Sequence, residues 1–307
     1  MTTVEFPLVG AGGEPVDLVR TLNSHGFVDL PPLRPAADYR SLELTLRPPR
    51  GRPRVVRVHE GSAPGLGAMT VLGPRVSEGA AQGLLDGARH VLRMDADLSA
   101  FYALAATDPD LAWVVGGAGR MLRSPTVFED VVKTVCTTNC AWSATRRMVT
   151  AIVEHLGEPA LGAAVEGPFG RAFPTPAAMA EVGEGFYREV ARAGYRGAYL
   201  AALARSVAEG DLDLERYGRA TREELPDDEL ERDLLALPGV GPYAAAHIMM
   251  TLGRHSRLIL DSWTRPTYAK LVGRRTVKDA AIERRFKRFG SYAGLAFWLF
   301  ATRDWVE

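Results

Sequence analysis

The sequence has only two cysteines, Cys136 and Cys140, among its 307 residues. Two thiols cannot supply a four-cysteine zinc or iron–sulfur site. The two positions lie four apart, so they would share one face of a helix that ran past both. We interpret them as small buried residues in a reducing compartment. No cysteine-held metal site is therefore expected.

Long apolar runs and an excess of one charge are also missing. No uninterrupted apolar run approaches the about 20 residues that a transmembrane helix needs, and MTTVEFPLVG at the start lacks the pattern of a signal peptide. We therefore expect a cytoplasmic protein with no membrane partner. The 37 basic and 37 acidic residues cancel, so the overall basic character typical of nucleic-acid-binding domains is absent. Lysine is scarce, with Lys133, Lys270, Lys278 and Lys287 as the four in the chain.

The first hundred residues show the alternating pattern of β-strands. Three short segments bounded by proline or glycine carry it: SLELTLRPP (41–49), PRVVRVHEG (53–61) and AMTVLG (68–73). Leu42, Leu44 and Leu46 alternate with polar residues, which is typical of half-buried antiparallel strands. We interpret ARHVLRMD (88–95) as a further strand. The pattern predicts an antiparallel β-sheet domain over residues 1–97.

From about Leu98 onward the pattern is helical. Capping residues and apolar spacing predict helices within 124–139, 143–157, 175–183, 195–210, 226–237 and 242–253. RLIL (257–260) is strand-like, and two or three helices close the chain. The sequence therefore predicts an α+β protein, with a mainly α-helical region over residues 98–307 whose last helices pack back on it.

The segment LPGVGPYAA, which starts at Leu237, predicts a tight hairpin between two helices. Gly239 and Gly241 permit the chain reversal around Val240, and Pro242 presets the first turn of the second helix. Hairpin N–H groups beside a helix N-terminus form a cradle for an anion, above all a nucleic-acid phosphate. The alternative is a corner between helices that binds no ligand.

Asp261 follows Tyr243 by eighteen residues, in ILDSW. It stands between an apolar run and the start of the next predicted helix. A capping role for Asp261 is one interpretation. A carboxylate fixed at a helix start near a phosphate-binding hairpin is also suited to catalysis, and the two roles are compatible.

Together, LPGVGPYAA and LILDSW resemble the signature of the helix–hairpin–helix DNA glycosylases. AGYRGAYLAALA (193–204) is similar to the G-Y-R-A-x-Y helix start of that family, FEDVVKTVCTTNCAWSATRR (128–147) to its preceding helix pair, and FPTPAAMAEV (173–182) to its linking helix. The β-rich N-terminal segment resembles the extra sheet domain of the 8-oxoguanine and 3-methyladenine branches. The resemblance implies a monomer that binds damaged double-stranded DNA, without a cofactor, in a bacterial-type cytoplasm in association with the nucleoid.

The resemblance also implies roles for individual residues. Asp261 would stabilise the positive charge that develops on the sugar as the flipped base leaves. Tyr243 stands where strand-nicking members carry the lysine that attacks the sugar, so hydrolysis by water without lyase activity is expected. Leu237, Gly239, Val240 and Gly241 would form the phosphate-binding hairpin. No metal is implied beyond a monovalent cation that this hairpin could hold.

Further residues are assigned to the lesion. Tyr243, Trp263 and Trp142 would line its pocket, with Phe297 and Trp298 as additional aromatic candidates, although each could be core. Asn139, Tyr195 and Arg196 would fill the gap left by the flipped base or contact its partner, although each has an ordinary structural explanation. His247 is expected to be a core histidine with its hydrogen bonds satisfied. Pro266 departs from the family pattern and is expected to delay or kink the helix after Asp261.

The resulting hypothesis is a monofunctional DNA glycosylase that removes a damaged, alkylated purine. An 8-oxoguanine glycosylase and a DNA-binding protein without catalysis are the alternatives. An aspartate at the catalytic spacing favours an enzyme over a phosphate clamp, because a clamp would not need it.

Overall fold

The computed structural model describes residues 1–48, 50–162 and 167–306. The chain begins with a five-stranded antiparallel sheet in the order β1-β5-β4-β3-β2. Its strands are β1 (Thr2–Pro7), β2 (Arg34–Pro35), β3 (Leu42–Leu46), β4 (Arg54–Glu60) and β5 (Leu66–Val71). The three predicted strands are confirmed, while Pro49, at the end of the first predicted segment, lies outside the described residues.

The alternation read from the sequence places one face of the sheet in a core. Leu42, Leu44 and Leu46 are buried, and Leu44 lies opposite Val56 in the β3–β4 register. The prediction of a strand at 88–95 is wrong, because the first half of this segment belongs to helix α2 (Glu78–Val91) and the second half is a turn. Ala88 and Val91 share a stripe with Leu84 that packs against the sheet, so helical spacing governs these residues.

Helices make up most of the rest of the described chain. They are α1 (Leu18–Leu22), α2, α3 (Ser99–Ala105), α4 (Val127–Thr137), α5 (Trp142–Leu156), α6 (Pro176–Glu181), α7 (Gly183–Glu189), α8 (Arg196–Ala208), α9 (Glu215–Arg219), α10 (Asp227–Leu235), α11 (Pro242–Thr251), α12 (Thr264–Leu271), α13 (Asp279–Phe286) and α14 (Ala293–Thr302). Short 3-10 helices cover Gly26–Asp29, Ala112–Gly116, Lys287–Tyr292 and Arg303–Trp305. The predicted α+β class is confirmed.

Helix α11 lies between two hydrophobic cores. Ile248 and Met249 pack in the core formed with α4, α5 and α8. Ala246 and Met250 pack in the core formed with α3 and α12–α14. A helix buried on all sides is apolar all round, which explains the run AAAHIMM. The helix that follows the hairpin is therefore held rigidly from both sides.

Some predictions about the chain ends and connections need revision. The strand-like RLIL (257–260) forms no strand in the described part of the chain, and Ile259 packs into the core instead. Phe27, from the N-terminal part, packs in the α4–α5–α8 core, so the division between residues 97 and 98 stays a prediction.

Among the described residues, no helix combines the length and apolar character needed to span a bilayer.

Candidate active site

The hairpin joins α10 to α11 and is anchored by its apolar residues. Leu237 and Val240 are buried, and the Val240 N–H donates to the Leu237 carbonyl at 3.2 Å. Gly239 has a φ of +79°, which favours glycine. The backbone at Gly241 does not require glycine, because its φ is −101°. A side chain at this position would meet nothing within 4 Å. The expectation that both glycines serve the turn is therefore wrong for Gly241, whose position instead leaves open space beside the N-terminus of α11.

Two N–H groups of the hairpin are free to bind an anion. Within the described ranges, the N–H groups of Gly239 and Gly241 donate to no protein acceptor. The Val240 N–H is used inside the turn and is not available. Together with the positive end of the α11 dipole, the free donors form the cradle that an anion such as phosphate would occupy.

Asp261 caps helix α12. Its Oδ1 accepts hydrogen bonds from the N–H groups of Trp263 at 2.8 Å and Thr264 at 2.7 Å. The Asp261 N–H donates in turn to Thr264 Oγ1 at 2.9 Å. Pro266 neither delays nor kinks this helix: it lies in the first turn, where a proline removes no needed N–H. In the described chain, Asp261 Oδ2 has no protein donor, so one oxygen fixes the side chain and the other remains available.

Tyr243 lies on the first turn of α11, beside the end of α4. Its hydroxyl is 3.2 Å from Thr137 Oγ1. Burial raises the pKa of Tyr243, and the negative charge of Asp261 adds to this rise. At neutral pH the Tyr243 phenol is protonated and can donate or accept a hydrogen bond.

The structure brings Asn139, Tyr195 and Arg196 together. Asn139 is exposed with a φ of +46°, a backbone state that asparagine tolerates better than most residues. Its Nδ2 lies 3.4 Å from the Tyr195 hydroxyl. Arg196, expected to contact the partner base, is buried instead: its guanidinium lies 4.5 Å from the Tyr195 ring and donates to the carbonyl of Thr138. Arg196 therefore supports the turn that follows α4, while the side chains of Asn139 and Tyr195 remain exposed.

Tyr199 joins this loop to the hairpin, although the sequence did not assign it to the site. The rings of Tyr195 and Tyr199 are in edge contact with centroids 5.9 Å apart. A Cβ at Gly239 would lie 2.8 Å from Tyr199 Cδ2, so the tyrosine ring lies against the hairpin backbone. Asn139, Tyr195, Tyr199 and Gly239 thus form one continuous surface.

A cavity of about 440 Å³ lies between the N-terminal segment and the chain end, lined by residues that include His25, Gly26, Asp29, Asp38 and Trp305. Trp142, predicted to line the lesion pocket, is not among the described residues that line this cavity. Its indole packs against Gly26, where a Cβ would lie 3.1 Å from the ring. The volume falls within the about 300–1,000 Å³ typical of small-molecule sites. The cavity can therefore hold a single base.

Trp263 reaches the same cavity through a tryptophan cluster. Its ring centroid is 5.3 Å from that of Trp305 and 5.9 Å from that of Trp298. Trp298 is buried and donates from Nε1 to the Ser24 carbonyl at 2.7 Å. Phe297, by contrast, packs against Tyr268 in the C-terminal core, so it is excluded from the pocket. Two residues after Asp261, the chain therefore contacts the wall of the cavity.

His247 is a core residue, as predicted, but its hydrogen bonds are not satisfied. Its ring packs against Phe27 and His25, with centroids 4.8 and 5.5 Å away. Its Nε2 is buried with no partner among the described residues. Burial lowers the pKa of His247 to about 3 and that of His25 to about 4. Both rings are neutral at physiological pH.

These buried histidines predict acid sensitivity. Burial also lowers the pKa of His255 to about 3. From an ordinary value near 6.5 downward, the unfolded chain binds protons that the folded chain does not. The free energy of unfolding should therefore fall as the pH drops toward 4, by about 1–2 kcal/mol per histidine at about pH 5. Urea unfolding at several pH values measures this, and His247→Phe should reduce the slope. An unchanged slope in that variant would contradict the assignment.

Sequence reasoning missed the cavity because distant parts of the chain form it. Gly26 lies in a short 3-10 helix near the start of the chain, whereas Trp305 lies near its end. No local pattern relates them. The one available signal was the position of Trp263 two residues after Asp261, and this signal does not extend to Trp305.

Several solved structures of DNA glycosylases share the fold of this chain. A 3-methyladenine DNA glycosylase from Archaeoglobus fulgidus matches with a TM-score of 0.73 and 16% identity, covering 100% of both chains. A structure titled MBOgg1 with a low-affinity DNA ligand matches with a TM-score of 0.73 and 18% identity, covering 99% of this chain and 96% of the other.

An 8-oxoguanine glycosylase/lyase from Clostridium acetobutylicum, bound to double-stranded DNA, matches with a TM-score of 0.66 and 21% identity, covering 92% of each chain. No family model and no curated protein matches the sequence. The resemblance inferred from the hairpin and Asp261 is thus confirmed at the level of the fold, over nearly the whole chain.

Proposed function

We propose that this protein is a monofunctional DNA glycosylase that removes an alkylated purine from double-stranded DNA. The observation that carries the proposal is Asp261, which is held by two backbone N–H groups through Oδ1 and keeps Oδ2 free. A phosphate-binding hairpin and a base-sized cavity complete the arrangement. A protein that only clamped DNA would need neither the carboxylate nor the cavity.

The chemistry follows from the charge that develops on the sugar. The target base leaves the stack, at a cost of a few kcal/mol that is least for damaged bases, and the hairpin holds the adjacent phosphate. As the C1′–N bond breaks, C1′ gains positive charge and the base takes the bonding electrons. A fixed carboxylate stabilises this developing charge on C1′ more than it stabilises the uncharged sugar of the ground state. Asp261 Oδ2 can also orient or deprotonate the water that attacks C1′.

Water, rather than an amine, is proposed as the nucleophile. Tyr243 occupies the hairpin-helix position and cannot form a Schiff base. Lys133, on the neighbouring helix α4, is fully buried and paired with Glu129 at 2.6 Å. The enzyme should therefore leave an intact abasic site. Borohydride added during the reaction should trap no covalent protein–DNA complex, and a trapped complex would contradict the monofunctional assignment.

The lining of the cavity favours a cationic base. Tyr39 donates to Asp29 at 2.9 Å, and Asp29 and Asp38 both line the cavity. Two carboxylates and the Trp305 indole in the lining attract a positively charged ring. Purines alkylated on a ring nitrogen carry such a charge, whereas 8-oxoguanine is neutral. The two carboxylates therefore support the proposal of an alkylated purine over that of 8-oxoguanine.

The test compares duplexes that differ in one base. Each carries either a 3-methyladenine analogue, 7-methylguanine, 8-oxoguanine or an undamaged purine, and strand breaks are scored with and without alkali. Alkali-dependent breaks at the alkylated bases, faster than at 8-oxoguanine, are expected. Faster release of 8-oxoguanine than of the alkylated bases would make 8-oxoguanine the substrate of the proposed glycosylase. No breaks at any base would exclude the glycosylase.

The cavity itself can be tested at Gly26. Gly26→Val would push its side chain into the Trp142 ring and narrow the cavity, so base release should slow about tenfold or more, while affinity for undamaged duplex stays similar. Gly79→Val is the matched control, because a side chain at Gly79 on α2 meets nothing within 4 Å. Equal base release by the two variants would place the flipped base elsewhere.

A further inference from the structure

We propose that a groove between α11 and α13 binds the DNA backbone next to the hairpin, through Arg284 and Lys287. The inference rests on the proposed function, which it extends from the lesion to the flanking duplex. Nothing in the hairpin or in the base cavity requires this second surface. Its support comes from the shape of the groove and from the charges along it.

The groove is continuous with the start of the hairpin helix. It has a volume of about 890 Å³, and its apolar floor includes Pro242, Tyr243 and Leu260. Arg284 and Lys287 line its α13 side. Because Pro242 directly follows the hairpin, a strand whose phosphate sits at Gly239 and Gly241 has this groove as its neighbour.

The balanced charge of the chain hides a strongly basic segment here. Residues 264–288 contain nine arginines and lysines against two acids, Asp279 and Glu283. The neutral total therefore does not describe this segment, and the cations that matter for nucleic acid are those of the segment that face the groove.

The cations of helix α13 and of the turn that follows it lie on two sides of this segment. Arg285 and Arg288 turn toward Asp108, which both contact, so their charges are used within the protein. Arg284 and Lys287 have no carboxylate within 4 Å in the described parts of the chain. The two cations that face the groove are thus the two that remain available for a ligand.

The carboxylates that line the groove do not cancel the positive charge of its unpaired cations. Glu231 pairs with Arg257 at 2.8 Å, and Asp279 pairs with Arg265 at 2.8 Å. Glu283 is the remaining acid of the lining, and no ion pair involves it within the described ranges. Two unpaired cations therefore face one unpaired carboxylate.

An open groove with separate, flexible cations suits a polyanion better than a small ligand. A small anion needs converging donors, whereas a DNA backbone presents phosphates at regular intervals and gains affinity by releasing counterions. Such contacts carry no sequence information, which fits a protein that must search undamaged duplex for a lesion.

Salt dependence of binding tests the groove directly. The logarithm of the affinity for an undamaged duplex is measured against the logarithm of salt concentration for the wild type, the double variant Arg284→Ala/Lys287→Ala, Glu283→Gln and the control Arg89→Ala. Arg89 is an exposed arginine on α2, outside the groove. The double variant should lose about 1–2 units of slope and bind about tenfold more weakly at about 0.1 M salt. Glu283→Gln should bind more tightly, and Arg89→Ala should match the wild type.

The two proposals fail in different ways. If the wild type binds DNA and releases base but the double variant keeps the wild-type slope, the groove does not contact DNA and the glycosylase proposal stands. If Arg89→Ala weakens binding as much as the double variant, the effect is general electrostatics and the groove is excluded. If the wild type neither binds DNA nor releases base, the proposed function itself is wrong, and this inference fails with it.

Discussion

Asp261→Asn should slow base release by about 10²–10³-fold while leaving DNA affinity nearly unchanged. The substitution removes the negative charge but keeps an oxygen that can accept from the Trp263 and Thr264 N–H groups, as the wild-type carboxylate does. Asparagine is as good a helix cap as aspartate, so α12 should remain folded. Single-turnover base release measures the loss, and circular dichroism verifies the fold.

Asp213→Asn provides a matched control for this substitution. Asp213 caps α9 by accepting from the Arg216 N–H at 3.1 Å, and its ion pair with Arg219 is exposed. The same chemical change there should leave base release close to the wild-type rate. Full activity in Asp261→Asn, or an equal loss in both variants, would remove Asp261 from the mechanism.

Glu14→Ala should lower the free energy of unfolding by about 3–5 kcal/mol. Arg120 is fully buried and donates to Glu14 Oε1, and the same oxygen accepts from the Leu98 N–H at 2.9 Å. Removing the carboxylate leaves a buried guanidinium uncompensated and an N–H without its acceptor. Urea unfolding measures the change.

An exposed ion pair serves as the comparison. Glu60 pairs with Arg40 at 2.8 Å with both side chains about half exposed, so Glu60→Ala should change the stability very little. If Glu14→Ala were as stable as Glu60→Ala, the Glu14–Arg120 pair would not be what joins the N-terminal segment to the chain before α4.

Local sequence patterns predicted most of the elements. Alternation at Leu42, Leu44 and Leu46 predicted β3, and capping residues predicted the helix within 124–139, which the structure shows as α4. The pattern failed at residues 88–95, because a short apolar run fits a strand and the end of a helix equally well. It also failed at RLIL, where tertiary packing of Ile259 replaces strand pairing.

The candidate site was predictable where it is local. LPGVG and Asp261 carry their geometry within a few residues, through the turn at Gly239 and the cap at Thr264. The cavity was not predictable, because Gly26 and Trp305 meet only in the folded chain. Arg196 shows the same limit: its motif suggested a DNA contact, while its burial depends on where the Thr138 carbonyl lies.

The most direct test of the central claim is mass spectrometry of the products from a duplex that carries one alkylated purine. With the wild-type protein in excess over DNA, we predict free alkylated purine and an equal amount of intact abasic strand. In the time that the wild type needs to complete the reaction, Asp261→Asn should form about 1% or less of either product. Tight binding of the duplex by the wild type, without any released purine, would contradict the claim that the hairpin and Asp261 form an active site.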